Sequence, residues 1–352
     1  MLGIMRFILA LLVLLSHANG TGLKINLGVT AVIIFYFISG HLMQRSYARF
    51  LGHCDTPIRS FYVDRFLKLF PQYVLVVLVS FALMAWLGPA QSVLFMAQEP
   101  DLEKILLNLA LLPANYVFEP LVIEQMLPHP IVPPAWSLAA EFHFYLLLPL
   151  IFLLPGKLLL ALFAITAGIQ ISAMFFAAGG FNSDNFGYRF IFGVLTFFLF
   201  GYAHARREEP AFARMAQFTW LAYACLLILV APAAQMFTNP HVMEVLLGAV
   251  LAWPLAAFAF ACTPERPWMK QADNILGRLA YPIFISHFLA FYLCEKLFVL
   301  TSTQQWPYIP VAISVCLCLS WGLLRLQDGI DAYRLQRRGF RSMMTLRPDA
   351  AR

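Results

Sequence analysis

Ten apolar runs, each long enough to cross a bilayer, limit what this chain can fold into. They lie near 4–20, 27–44, 69–88, 136–154, 157–178, 188–205, 215–233, 243–262, 277–299 and 308–326. A helix needs about 20 apolar residues to cross the roughly 30 Å hydrocarbon layer, where each backbone N–H and C=O must be paired internally. Alternating strands of about ten residues, the mark of a membrane barrel, are missing from the pattern. The expectation is an all-α integral membrane protein. Composition agrees, with 61% of the 352 residues hydrophobic and 12% charged, against about 25% charged in a soluble domain. The net charge of +6 is no nucleic-acid signal, because the basic residues sit between helices and in the tail, where they set orientation.

Arg45, Arg49, Arg59, Arg65 and Lys68 follow the second run, Arg206, Arg207 and Arg214 follow the sixth, and the end of the chain is rich in arginine. The positive-inside rule places all three regions in the cytoplasm. An eleventh apolar piece, 102–117, is broken by Asn108, Pro113 and Asn115. Both flanks of it count as outside, so it cannot cross once and is expected to be re-entrant or interfacial. About ten transmembrane helices in one bundle result, with both termini cytoplasmic. Residues 1–328 form the membrane domain and 329–352 a basic tail suited to an anionic lipid surface. The stretch from Pro89 to Pro134 is long enough to lie as a lid over an outward-facing cavity. The first run also carries signal-peptide features, Arg6 and Ser16-His17-Ala18, but a polytopic chain needs no removable signal.

Against this apolar background, ionisable groups stand out, because they are costly in lipid and mark function by default. Arg6 and His17 lie eleven residues apart, so they share nearly one helix face about 16 Å apart along the axis. Ser39-Gly40-His41 closes the second run, and its small pair serves either helix packing or a site. Arg65 and Lys68, three apart on one face, either mark topology or bind phosphates. Ser137, Glu141 and Tyr145 recur every four residues after the interfacial Trp136, and His287 places a second imidazole in mid-membrane. The six cysteines show no paired metal spacing, so no metal site is expected.

Histidine is the natural general base for a hydroxyl at neutral pH. No glycine-rich phosphate loop or nucleophile elbow accompanies it. Acyl transfer with a base-activated acceptor hydroxyl fits this inventory. So does a multi-pass transporter or flippase for a lipid-linked sugar or anion, relaying protons through His and Glu.

Five motifs in order break that tie. They are Arg6 with His17, Phe35-Tyr-Phe-Ile-Ser39-Gly40, Phe61-Tyr62 through Arg65, Pro71 and Tyr73, Trp136-Ser137-Leu138 with Glu141, Phe144, Tyr145 and Pro149, and Leu276-Gly277 to His287. Together they resemble the membrane acyltransferase-3 family, bacterial polytopic enzymes that O-acylate cell-surface carbohydrates, over roughly residues 1–326. Asp64 and Lys68 depart from the arginines common there, His41 from an aromatic residue, and Ala280 from a serine. The resemblance implies an inner-membrane O-acetyltransferase using acetyl-CoA as donor substrate, with no permanently bound cofactor. Its acceptor would be a hydroxyl of a cell-envelope or secreted carbohydrate. It further implies Arg6, Arg65 and Lys68 on the CoA phosphates, His17 as base, Glu141 orienting the acceptor or tuning a histidine, and His287 in acid–base work or proton exit. Ser39, Trp136, Ser137 and Tyr145 would shape the acceptor pocket. Membrane lipid is a partner, and a separate extracytoplasmic transferase or a second copy is a further one.

Overall fold

The computed structural model describes residues 1–18, 25–93, 96–97, 99, 101–116, 131–176, 178, 180–232, 239–301 and 306–337. Of the stretch expected as a lid, Pro89–Pro134, residues 94–95, 98, 100 and 117–130 lie outside these residues, as does the basic tail beyond Arg337. The described chain is helical: α1 (Leu2–His17), α2 (Leu27–His53), α3 (Pro57–Leu87), α4 (Leu102–Ala110), α5 (Ala135–Leu153), α6 (Gly156–Phe175), α7 (Ile191–Ala205), α8 (Pro210–Val230), α9 (Val242–Ala261), α10 (Pro267–Phe298) and α11 (Tyr308–Arg337). Among the described residues, nine helices are long and apolar enough to cross a membrane, and α1 is a shorter apolar one. This is the all-α integral membrane protein expected.

Two helices outrun their apolar stretches. The third run was expected from residue 69, but α3 begins at Pro57, because the basic entry itself is helical and carries Arg65 and Lys68 into the bundle. Likewise the boundary expected at 328 falls inside α11. That helix continues to Arg337, held by ion pairs from Arg334 to Asp331 and to Asp64 of α3.

The piece at 102–117 does not cross. Its α4 has nine residues, about 13 Å of helix, followed by a 3₁₀ turn over Leu112–Tyr116. Asn108, one of the residues that interrupts the run, draws it inward. The Tyr73 hydroxyl at mid-α3 donates to the Asn108 carbonyl at 2.6 Å, and the Asn108 side chain accepts from Ile131 N at 2.8 Å. The segment is thus too short to span and is tied to α3, as a re-entrant or interfacial piece requires.

α2 runs against α1, α3, α5, α7 and α9. Its crossing with α7 is fixed by glycine. A Cβ on Gly40 would lie 2.0 Å from the Phe198 carbonyl oxygen, and one on Gly201 would lie 1.9 Å from that of Phe37. Each glycine thus lets the other helix's backbone approach. Gly201→Ala forces the pair apart and should lower stability by about 1–3 kcal/mol, read as the unfolding midpoint in detergent. Gly52→Ala, which meets nothing within 4 Å, should leave that midpoint undiminished.

Candidate active site

Seven of the residues expected at the site line one cavity with about 850 Å³ of empty space, mouth included: Arg6, Ser39, Arg65, Lys68, Ser137, Glu141 and Tyr145. Tyr36, Tyr281 and Phe284 complete its wall. Helical spacing explains the convergence. Ser137, Glu141 and Tyr145 fall four apart on α5, Arg65 and Lys68 three apart on α3, and Arg6 projects from α1.

Glu141 holds the centre. Its Oε1 accepts from Ser39 Oγ at 2.5 Å and from the Tyr145 hydroxyl, so one carboxylate oxygen joins α2 to α5. Glu141 makes no hydrogen bond to a histidine among the described residues; its charge acts on Arg6. Tyr281 closes the wall by donating to the Leu69 carbonyl at 2.8 Å.

The cations of this cavity are not all neutralised. Arg65 donates to Asp64, with Nε at 2.9 Å, and Asp64 also accepts from Arg334 Nε at 2.7 Å. Both arginines and Asp64 are buried. Arg6 and Lys68 make no ion pair among the described residues. Sequence reasoning missed Arg334, which it assigned to a basic tail at an anionic lipid surface; an aspartate three residues before an arginine on the extension of an apolar helix was the available signal.

His17, His287 and Trp136 lie outside this cavity. His17 is exposed at the end of α1, whereas His287 is completely buried on α10. The two meet: His287 Nε2 is 3.2 Å from His17 Nδ1, with ring planes 21° from parallel. Phe288 packs against both imidazoles. Near them stands Arg189, close enough to act on the charge of His17. Its guanidinium lies 5.3 Å from the Trp136 ring centre and 5.0 Å from that of Tyr188, and pairs with Asp184 at 2.9 Å. Arg189 escaped the sequence reading, although a charge at the start of an apolar run is the same signal that marked Glu141.

Asn115 of the 3₁₀ turn after α4 ties this outer group together. It is buried, donates to the Trp136 and Arg189 carbonyls at 3.1 and 2.9 Å, and accepts from Ile191 N at 3.0 Å. One amide thus fixes the starts of α5 and α7. On the basic side, His41 Nδ1 lies 3.0 Å from Nδ1 of His204, both rings buried.

The chain matches the family described as "Acyltransferase domain" over residues 2–325, which are nearly the whole membrane bundle. It belongs to this acyltransferase-3 family and is a membrane acyltransferase. That membership decides between the transferase and transporter expectations. An uncharacterized protein of Aquifex aeolicus (strain VF5) is 31% identical over 175 residues, 47% of this chain and 72% of that protein. No solved structure matches.

The Asp64 bridge has a measurable consequence. Asp64→Ala leaves two buried arginines without their shared carboxylate and should cost about 3–5 kcal/mol, read from thermal unfolding in detergent. Adding Arg334→Leu should recover part of the loss.

Proposed function

We propose that this chain transfers an acetyl group from acetyl-CoA to a hydroxyl of a cell-envelope or secreted carbohydrate, working as a multi-pass enzyme of the bacterial inner membrane. The observation that carries this reading is the charge balance of the cavity. Arg6, Arg65 and Lys68 face a single lining carboxylate, Glu141, and two of the cations have no ion-pair partner among the described residues. Unpaired cations inside a membrane are costly, and a phosphate-bearing ligand offsets that cost by charge-assisted hydrogen bonds.

In this reading the CoA phosphates bind on Arg65 and Lys68, with Arg6 above them. The long amide-bearing arm then runs along a wall of apolar side chains dotted with hydroxyls, Tyr36, Ser39 and Ser137 among them. It covers the rise of about 16 Å from Arg6 to His17, bringing the thioester to the imidazole. The carbohydrate approaches from the side of Trp136, Tyr188 and Arg189, where aromatic rings and a guanidinium suit a hydroxylated ring. His17 takes the acceptor proton as the acceptor oxygen bonds to the thioester carbon. The tetrahedral adduct collapses with loss of the C–S bond, and the same proton passes to the thiolate. CoA and the ester are the products.

Purified protein in nanodiscs with acetyl-labelled acetyl-CoA and a carbohydrate acceptor should release CoA and label the carbohydrate. His17→Ala should lower that rate by about 100-fold or more while insertion stays normal; undiminished turnover would remove His17 as base. Lys68→Ala should raise the KM for acetyl-CoA about tenfold, the loss of one charged contact. A change confined to the acceptor KM would overturn the phosphate assignment.

A further inference from the structure

We propose that His287 is a positioning residue that fixes the tautomer of His17, so that the lone pair of His17 Nε2 faces the acceptor. This assignment rests on His17 being the base proposed above, and it gives His287 a different part from acid–base work or proton exit.

The proton positions follow from what each atom is able to accept. His287 Nδ1 lies 3.2 Å from the Ile283 carbonyl oxygen, one turn back on α10. A carbonyl only accepts, so this nitrogen carries the hydrogen. The His287 ring is completely buried and has no carboxylate against it among the described residues. An imidazolium there would be an uncompensated buried charge, so the ring is neutral. Its one hydrogen is already on Nδ1, which leaves Nε2 a bare acceptor. That acceptor faces His17 Nδ1 at 3.2 Å, and only a hydrogen on His17 Nδ1 makes the contact a bond. The nearly parallel ring planes, 21° apart, let that N–H point along the lone pair. The Val13 carbonyl also faces the His17 ring, and with two lone pairs it accepts from Ser16 Oγ at 2.9 Å as well.

With its hydrogen on Nδ1, neutral His17 has its free lone pair on Nε2, and the ring stands exposed at the end of α1. Base and orienting group here are both histidines, and the orienting one is anchored in turn by a backbone carbonyl. The series ends at Ile283, which has no proton to give and nowhere to send one. It therefore orients and does not conduct. When Nε2 takes the acceptor proton, His17 becomes a cation whose Nδ1–H remains held by His287. When that proton moves on to the thiolate, the starting tautomer returns with no rearrangement.

Two readouts test this. In ¹⁵N-histidine NMR of the protein in nanodiscs, the His17 signals are identified by their loss in His17→Gln. They should show a protonated Nδ1 and an unprotonated Nε2 in the wild type, and a mixture of tautomers in His287→Leu. The opposite tautomer in the wild type, or no change on removing His287, overturns the proposal. Kinetically, His287→Leu should lower kcat by about 100-fold with the KM for acetyl-CoA unchanged. His287→Gln restores an acceptor at similar reach and should stay within about tenfold of wild type. Equal losses in the Gln and Leu variants would make His287 a packing residue only. If wild-type protein never turns over acetyl-CoA, the donor reading fails, while the spectra still report on the histidine pair.

Discussion

A charge carried into hydrocarbon has to be met by another charge, because water is not there to solvate it. Much of this bundle's architecture answers that demand. Asp64 draws Arg65 of α3 and Arg334 of α11 to one point. Glu141 gathers Ser39 and Tyr145 from two further helices. These contacts close the basic end of the bundle around a cavity, and within it Arg6 and Lys68 complete a polar wall.

Two polar residues that stood out in the sequence, Asp64 and His41, find partners on distant helices. Asp64, standing where an arginine is common, is matched by Arg334 some 270 residues later. His41, in place of an aromatic residue, meets His204 across the glycine-fixed crossing of α2 and α7 and stacks on Phe260. Neither compensation is visible at the site of the departure.

The fold was legible in the sequence because length and polarity of apolar runs decide membrane spans almost alone. Parity of the basic segments kept the 102–117 piece from crossing, and Asn108 and Asn115, which broke its pattern, proved to be residues that pin it. The cavity was legible where a helix repeats: Ser137, Glu141 and Tyr145 on α5, Arg65 and Lys68 on α3. What escaped was contact between distant helices. No periodicity reports that His17 and His287 touch, or that Arg334 turns inward. Trp136 was grouped with Glu141 by proximity in sequence, yet it packs under Arg189 on the opposite side of the site. Helix rotation decides which residues enter a cavity, and Trp136 directly precedes Ser137 but points elsewhere.

The histidine contact and the arginine bridge share a property that bears on how the protein is made. His17 waits for a partner 270 residues further along, and Asp64 waits for Arg334 across the same distance. Both partners belong to α10 and α11, the final helices described. A chain emerging from the ribosome therefore carries His17 and Asp64 long before either meets its distant partner. Insertion of the last two helices is what completes both contacts.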